Sequence, residues 1–422
     1  MNILFYNPAP TQKRFVPFEA VKGSAFFRRP NYDAMRLKYL SHGNSYHYYD
    51  ERIEAEPEFN PDIVVINIPL NLARYIQNTV RKRWPDSTII SYGFFATLVP
   101  DECKKFSDVV VTGDVANIWN TILSDAENDR LAPHYHSGNN NQFHVDRELE
   151  TRYGFTPLLS QLRTSFGCTC DDEDKNFCYE HIIYPDYQQW DAKEVAEEVA
   201  RIKRKIVFLR DDDFLYDIDY ACSILERCWQ YKKMWVFETS KRLFQVPSLA
   251  RFLRDNGVRI IWFKEDWLGK DILDHIDDPD FFTEKKRQVN LIHKYRITFG
   301  CKLRLGYEGE TPEFYQKLLK FLMKTKVDLV KITVQTPIPH TPLYQEYMKN
   351  KKIASDLTMY DQWMPVVKLP GTTPKDLYAQ MEWLRDRFYS WDSILARNVV
   401  VSPQLGVYNT IFFYLIPNLS FR

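Results

Sequence analysis

Apolar runs alternate with amphipathic stretches along the first third of the chain. The runs read as short strands, and one of them, Asp62–Ile68, is rich in β-branched residues; the others are Asn2–Tyr6, Thr88–Tyr92 and Asp108–Thr112. Helical patterns such as Leu72–Arg83 and Ala116–Ser124 lie between them. Continuous Val/Ile runs separated by helices are typical of a parallel sheet buried on both faces. The pattern predicts an α/β domain with a Rossmann-like sheet over residues 1–130.

The same alternation resumes after residue 156. The predicted strands are Lys205–Leu209, Met234–Glu238, Val258–Phe263, Arg296–Leu303 and Leu329–Val334, and the predicted helices include Ala192–Arg204, Ala221–Tyr231, Pro247–Asn256 and Pro312–Lys324. Repeated βα units indicate a barrel or a partial barrel whose chemistry lies at the carboxyl ends of its strands. Acidic side chains follow those ends at Asp211–Asp213, Glu238 and Glu265.

Residues 131–155 break the periodicity and predict a linker. The segment contains Pro133, a Gly-Asn stretch, and the histidines His134, His136 and His144, which we interpret as solvated side chains in preference to metal ligands. The predicted organisation is therefore a first domain over 1–130, a linker over 131–155, a barrel core over 156–345 and a C-terminal helical extension over 346–422. Within the extension, Ile411–Leu415 is predicted to fill a core or to cover the barrel.

The bulk composition narrows the function classes. The 422 residues carry 56 Lys and Arg against 56 Asp and Glu, a balance that argues against a nucleic-acid substrate. No apolar run is long enough to span a membrane. Because strand character starts at Met1 and the 7 cysteines are odd in number, we expect no signal peptide, a reducing cytoplasm, and thiols used for ligation or catalysis.

Three cysteines share one short loop. Cys168 and Cys170 are separated by one residue, and Cys178 follows after seven more. Three clustered thiolates suit an iron–sulfur cluster that keeps one iron open. The spacing leaves two alternatives: a zinc site completed by the nearby His181, or three unrelated thiols.

Several motifs, in order along the chain, resemble those of radical S-adenosylmethionine enzymes that carry a preceding cobalamin-binding domain. In the core they are Ser165-Phe166-Gly167-Cys168 with Cys178, Phe208–Phe214 with its acidic centre, Gly306-Tyr307-Glu308-Gly309-Glu310-Thr311, and Pro337–Tyr344. Upstream, Gly93–Glu102 and Asp108–Asp114 resemble the cobalamin-binding domain. Together the matches extend over roughly residues 1–385.

The resemblance implies cofactors, ligands and a reaction class. Cys168, Cys170 and Cys178 would hold a 4Fe-4S cluster whose open iron chelates S-adenosylmethionine, with Asp213 and Glu238 as candidate catalytic residues. The predicted cofactor-binding residues are those of the strand-end loops: Asn7, Pro8, Ala9, Pro10, Ile68, Pro69, Leu70, Gly93, Phe94, Phe95, Ala96, Thr97, Gly113, Asp114, Asp211, Asp212 and Glu265. Methyl transfer to a small biosynthetic intermediate is the expected reaction, and rearrangement or ring formation is also known in this group. The expected electron donor is a flavodoxin or a ferredoxin.

The chain departs from the family pattern in three places. The family loop is usually Cys-x3-Cys-x2-Cys, whereas Cys170 is early here and an acidic run, Asp171–Asp174, lengthens the loop. His340 stands where glycine is usual, and Asp-x-His-x-x-Gly, which supplies a cobalt ligand elsewhere, is absent. A degenerate member acting as a binding or partner protein is therefore the alternative, and a glycosyltransferase-like Rossmann pair is a third interpretation that leaves the cysteine loop unexplained. The active form is predicted to turn the carboxyl ends of its two sheets toward each other.

Overall fold

A computed structural model describes residues 1–8, 29–51, 53–67, 79–138, 143–152, 159–170, 178, 180–184, 186–354, 360, 364–397 and 406–421. The chain divides into two compact units. The first comprises Met1–Leu158, Cys170–Gln188 and Pro337–Asp361, and the second comprises Leu159–Thr169, Gln189–Thr336 and Gln362–Arg422.

The first unit is built on a parallel sheet of 6 strands. The strands are β1 (Asn2–Asn7), β2 (Ser45–Asp50), β3 (Ile63–Asn67), β4 (Thr88–Tyr92), β5 (Val109–Thr112) and β6 (His134–His136). Their order is β2-β1-β3-β4-β5-β6, so the chain direction across the sheet reverses between β1 and β3. In open α/β sheets, such a switch point leaves a crevice beyond the strand ends in which ligands bind.

Helices and two clusters of buried apolar residues accompany this sheet. The described helices of the unit are Tyr32–Leu40, Arg81–Arg83, Phe94–Leu98, Pro100–Cys103, Val115–Glu127, Glu180–Ile183 and Pro342–Lys349. Helix Val115–Glu127 buries Trp119 and Ile122 in the same cluster as Val65 and Val111 of the strands. Apolar burial of this kind contributes about 25 cal/mol per Å² and stabilises the sandwich of helices on sheet.

Strands β2 and β6 were not expected from the sequence. β2 reads Ser-Tyr-His-Tyr-Tyr-Asp and lacks an aliphatic run, yet Tyr48 and Tyr49 are buried against the neighbouring strand. β6 lies inside the segment 131–155, which was predicted to be a linker, and the linker prediction is wrong at these three residues. Tyr135 is buried, and the strand pairs in parallel with β5. Three residues are too few for a periodic signal, so pairing with an existing strand edge decided the structure.

The second unit contains another parallel sheet of 6 strands, arranged as a half-barrel. The strands are β7 (Leu159–Leu162), β10 (Ile206–Leu209), β11 (Met234–Thr239), β12 (Val258–Phe263), β13 (Thr298–Leu305) and β14 (Leu329–Val334), and a separate small ladder pairs β8 (Ser165–Phe166) with β9 (Gln188–Gln189). Their order is β14-β13-β12-β11-β10-β7, so each strand lies beside the next strand of the same sheet along the chain, as the βα pattern predicted.

Helices connect these strands. The described helices are Ala192–Arg201, Ile218–Cys228, Leu249–Asp255, Asp271–His275, Pro279–Lys294, Pro312–Thr325 and Pro374–Phe388. Many begin with a side-chain cap, as at Asp191, Asp278 and Thr373, which satisfies backbone donors that have no partner within the helix.

The end of the chain packs on the half-barrel. Val407–Asn409, Thr410–Leu415 and Ile416–Phe421 form one continuous helical segment with a π-helical centre. Phe413 is buried in a cluster with Val236, Ile260 and Leu329, which agrees with a core role for the apolar run 411–415. No helix among the described residues is long and apolar enough to cross a membrane.

Candidate functional site

Asp211 fastens the segment that leads into the cysteine loop. It follows β10, and its side chain is 2% exposed. The carboxylate accepts hydrogen bonds from the backbone N–H of Thr164 at 2.8 Å, from the hydroxyl of Ser165 at 2.9 Å and from the Ser165 N–H. Burial raises the pKa of Asp211 above its ordinary value, although these hydrogen bonds oppose the shift. The three bonds fix the backbone three residues before Cys168.

Asp212 fastens the other side of the same cysteine. Its carboxylate accepts from the hydroxyl of Thr169 at 2.6 Å and from the ammonium of Lys264 at 2.7 Å. Burial acts to raise the pKa of Asp212, but the charge and hydrogen bond of Lys264 and the bond from Thr169 hold it below its ordinary value. Asp212 is therefore a carboxylate at neutral pH, and Cys168 lies between two segments that adjacent acids hold.

Asp213 has a different set of partners. Its carboxylate accepts from the hydroxyl of Thr239 at 2.7 Å, from the N–H of Ser240 at 3.2 Å and from the N–H of Leu215 at 3.2 Å. It thus joins the loop after β10 to the end of β11. The three consecutive acids, predicted as cofactor or catalytic residues, all have protein partners; their direct contact with a cofactor stays a prediction.

Two of the loop cysteines and one histidine could hold a metal ion. Cys168, Cys178 and His181 each offer one ligand atom to this candidate metal-binding group. Among the described residues, the buried Nδ1 of His181 has no hydrogen-bond partner, so the group includes a nitrogen that lacks a donor or acceptor. Cys170 is half-buried, and no group found in the described part of the chain includes it. Two thiolates and an imidazole are ligands that suit a soft metal or an iron–sulfur cluster.

The remaining cysteines are placed as core side chains. Cys103, Cys228 and Cys301 are buried and Cys222 is half-buried. Burial raises the pKa of Cys103 and of Cys228 to about 12, and it raises that of Cys301 further. These thiols are therefore protonated and unreactive at neutral pH.

A charged triad occupies the carboxyl side of the half-barrel. Lys302 of β13 forms an ion pair with Glu238 at the end of β11. Glu265, after β12, is the other carboxylate whose charge acts on Lys302; desolvation tends to lower the Lys302 pKa, and the two acids raise it. Burial conversely tends to raise the pKa of Glu265, and Lys302 with Arg304 lowers it. Lys302 and Glu265 are therefore charged at neutral pH.

Sequence reasoning missed two lysines at these strand ends. Glu238 and Glu265 were predicted, but Lys302 and Lys264 were not. Lys302 alternates with the buried Cys301 and Leu303, and in the ladder it stands opposite Lys331. A cation between apolar residues of a predicted strand is the pattern that would have revealed it, since such charges are rarely buried without a partner.

Glu310 gives the Gly-x-x-Gly-Glu-Thr motif a structural role. Its carboxylate accepts from the N–H of Gly306 at 2.9 Å, from the N–H of Tyr307 at 3.0 Å and from the hydroxyl of Tyr315 at 2.5 Å. Thr311 then caps helix Pro312–Thr325. Burial raises the pKa of Glu310. The motif closes the turn from β13 into that helix.

Among the described strand ends of the first unit, that of β1 offers a hydrogen-bond donor without a partner. The buried side-chain amide nitrogen of Asn7, at the end of β1, makes no hydrogen bond among the described residues. Thr97 connects two of the loops, because its hydroxyl donates to the carbonyl of Gly93 at 2.9 Å and accepts from the N–H of Gly113 at 3.0 Å. An unpaired amide at the switch point is compatible with a polar ligand.

Backbone conformation and contacts within the protein explain the glycines at two of these strand ends. Gly93 has φ +99, and a Cβ there would lie 2.4 Å from the Asn67 side-chain oxygen; Gly113 has φ +83, and its Cβ would lie 2.6 Å from the Ser137 carbonyl. Both positions therefore need glycine whether or not a cofactor approaches. A bulky substitution at Gly93 would disturb the loop itself and is not a clean test of cofactor binding.

Other predicted cofactor residues are distributed as follows. Asp114 caps helix Val115–Glu127 and forms a buried ion pair with Arg36 at 2.8 Å. Phe95 and Ala96 are buried, and the ring of the half-buried Phe94 packs edge-on to Phe95 at 4.8 Å. Pro8 is buried directly after β1. Ala9, Pro10, Ile68, Pro69 and Leu70 lie outside the described residues.

The structure accounts for the histidine at position 340, where glycine is usual in the family that the sequence resembles. It has φ +71, a left-handed conformation that glycine adopts without strain. Its Nε2 lies 2.7 Å from the carbonyl of Leu98, at the end of helix Phe94–Leu98. The backbone geometry expected of glycine is therefore kept, and the imidazole adds a bond to the loop after β4.

Comparisons with known proteins agree with this architecture. No family model matches the chain. The bacteriochlorophyllide d C-8(2)-methyltransferase of Chlorobaculum tepidum is 23% identical over 399 residues, covering 84% of this chain and 82% of that protein. The C-12(1)-methyltransferase of the same organism is 21% identical over 290 residues, and the match covers 64% of this chain and 62% of that enzyme, less than two thirds of its length.

Solved structures match over most of the chain. The radical S-adenosylmethionine methyltransferase TsrM from Kitasatospora setae, with cobalamin and a 4Fe-4S cluster bound, superposes with a TM-score of 0.62 at 15% identity and covers 91% of both chains. The chain has the fold of cobalamin-dependent radical S-adenosylmethionine enzymes. The cobalamin-dependent radical enzyme OxsB gives a TM-score of 0.54 at 11% identity, over 93% of this chain and 62% of that one.

Proposed function

We propose that this chain is a cobalamin-dependent radical S-adenosylmethionine methyltransferase that acts on a small-molecule biosynthetic intermediate. The ligand set of Cys168, Cys178 and His181, with Cys168 held between Asp211 and Asp212 at the strand ends of the half-barrel, is the observation that carries the proposal. The likeness to methyltransferases in both sequence and fold supports it.

The donor set fits an iron–sulfur cluster. Cys168 and Cys178 are proposed as two cluster ligands and Cys170 as the third. The imidazole of His181 is the alternative third ligand. When bound, the cluster supplies an electron to S-adenosylmethionine and cobalamin supplies a methyl carrier. A flavodoxin or a ferredoxin is the proposed source of that electron.

Charged side chains at the strand ends are proposed to position the cysteine loop and S-adenosylmethionine. Asp211 and Asp212 hold the backbone on either side of Cys168, so the position of this cysteine is set before any metal binds. Lys302, Glu238 and Glu265 offer charges of both signs at the same strand ends, which suits the carboxylate and ammonium of S-adenosylmethionine. Glu238 is kept as the candidate catalytic residue and Asp213 as a candidate that joins two strand ends.

The first unit is proposed to bind cobalamin at its strand ends. The switch point between β1 and β3 and the unpaired amide of Asn7 support this location. The proposed order is a cobalamin-binding domain followed by a radical S-adenosylmethionine core, and the facing of the two sheets stays a prediction.

Anaerobic reconstitution tests the proposal. The full chain, incubated with iron, sulfide and hydroxocobalamin and then desalted, is expected to retain close to four irons per chain and a corrinoid spectrum, figures that rest on the cluster type. With a reductant, it should consume S-adenosylmethionine. Retention of neither cofactor would instead support the degenerate binding protein.

A further inference from the structure

Three arginines surround a cavity at the amino end of the half-barrel. Arg254 lies near the end of helix Leu249–Asp255, Arg259 lies in β12, and Arg296 directly precedes Ile297 and β13. Together with residues 406–409 they line a cavity of about 270 Å³. Because the strands are parallel, this is the edge of the sheet opposite the one that carries Asp211–Asp213 and Cys168. The cavity is separate from the candidate active site.

Arg254 and Arg259 donate hydrogen bonds to backbone carbonyls. Arg254 donates to the carbonyl of Arg296 at 3.3 Å, and Arg259 donates to the carbonyl of Val258 at 2.9 Å. Across the described residues, no carboxylate lies within ion-pair distance of any of the three guanidinium groups. The nearest acid in sequence, Asp255, pairs with Arg251.

Burial and mutual repulsion lower the pKa of two of these guanidinium groups. Burial and the charge of Arg254 together lower the pKa of Arg259 to about 10, although Tyr408 acts in the opposite direction. Burial and the charge of Arg296 also lower the pKa of Arg254, although the carboxylate of Asp255 opposes them. The helix end beside Arg254 offers roughly half a negative charge, which is too little to balance three cations. A bound anion would relieve the repulsion.

The lining completes the picture of a ligand site. Asn409 is held by a 3.4 Å bond from its side-chain amide to the Arg296 carbonyl. Val407 is 76% exposed and Tyr408 is 53% exposed, so apolar surface borders the charged floor. Guanidinium groups bind phosphate oxygens with paired, charge-assisted hydrogen bonds, and several converging on one cavity favour a multiply charged oxyanion.

We propose that Arg254, Arg259 and Arg296 form a binding site for a phosphate group, supplied either by a phosphate-bearing small molecule or by an anionic lipid headgroup. Occupation joins helix Leu249–Asp255, the start of β13 and the C-terminal helical segment around one anion. The inference is independent of the proposed methyl-transfer activity, since it concerns the opposite edge of the sheet.

Titration of the full-length protein with potassium phosphate, matched in ionic strength with potassium chloride, tests the site. Phosphate is expected to raise the melting temperature in a saturable manner, by mass action on the folded state. The R259Q/R296Q double variant should weaken binding at least tenfold. R251Q is the matched control, because Arg251 lies on the same helix but pairs with Asp255 outside the cavity.

A second arm distinguishes the two sources. Sedimentation with phosphatidylglycerol vesicles, compared with phosphatidylcholine vesicles, should show arginine-dependent association if a headgroup is the ligand. R296Q alone, at an exposed position, keeps the test valid if the double variant fails to fold. Arginine-dependent binding of either probe supports the site. The proposal is overturned if neither probe binds, or if the R259Q/R296Q variant binds both probes as well as the wild type does.

Discussion

The hydroxyl of Thr169 donates a 2.6 Å hydrogen bond to the carboxylate of Asp212, and Thr169 is the residue directly after Cys168. Lys264 binds the same carboxylate at 2.7 Å, so one acid connects the loop after β10, the end of β12 and the cysteine loop. Charge-assisted bonds of this kind are about twice as strong as neutral ones. The relationship turns an acidic motif at a strand end into a support for the metal-binding group.

Replacement of Thr169 by Val should loosen that support. The buried carboxylate loses one donor, and we expect the free energy of unfolding to fall by about 1–2 kcal/mol and the iron retained after reconstitution to fall several-fold. Thr336→Val is the matched control, because the Thr336 hydroxyl bonds to the Val334 carbonyl away from the cysteine loop. Equal iron content in the two variants would refute a positioning role for Thr169.

The same contact predicts an acid limit. The pKa of Asp212 lies below its ordinary value of 3.8 in the folded protein, so its stabilising contribution is complete above that value and is lost as the pH falls below it. The difference in unfolding free energy between wild type and Asp212→Asn should therefore be constant near neutrality and shrink in acid. Denaturant titrations at several pH values measure it, and a difference that grows in acid would contradict the assignment.

Substitution of the loop thiols should separate the ligands from the core cysteines. Cys168→Ala and Cys178→Ala are expected to abolish iron binding, and Cys170→Ala should do so if it is the third cluster ligand. His181→Ala decides the alternative: loss of iron with His181→Ala and full retention with Cys170→Ala would assign the third position to the imidazole. Cys103→Ala serves as the control, because burial raises the pKa of that thiol to about 12.

Removal of the Lys302 charge should be costly. Glu238 and Glu265 would lose the cation that balances them, and since the paired side chains are about one fifth exposed, we expect a loss of about 1–3 kcal/mol. Lys302→Met is compared with Lys302→Arg, which keeps the charge. S-adenosylmethionine binding, followed by calorimetry, should weaken in the methionine variant and persist in the arginine variant. Unchanged binding in both would remove the triad from the cofactor site.

The sequence predicted the strands with aliphatic runs and missed those without them. Val258–Phe263 and Leu329–Val334 were predicted with their observed bounds, because apolar burial alone decides such segments. β2 and β6 depend on pairing with strands distant in the chain, and no local pattern records that pairing. Similarly, the acids at Asp211–Asp213 were found as strand-end residues, but their partners Thr169, Lys264 and Thr239 come from other segments and became visible only in the fold.

His340 provides a test that distinguishes backbone strain from side-chain bonding. Its left-handed backbone costs about 1 kcal/mol or more for a residue with a Cβ, and its ring returns a hydrogen bond to the Leu98 carbonyl. His340→Ala keeps the strain and loses the bond, so we expect a loss of about 1–2 kcal/mol. His340→Gly loses the bond but also the strain, and part of its gain is offset by the greater freedom of glycine in the unfolded chain.

The expected order of unfolding free energy, from urea denaturation and starting with the most stable protein, is wild type, then His340→Gly, then His340→Ala. An alanine variant more stable than the glycine variant would show that strain at this position is not what the usual glycine avoids. Because Leu98 ends the helix that follows Gly93, a smaller corrinoid content in both variants than in wild type would further indicate that the imidazole supports the loop after β4.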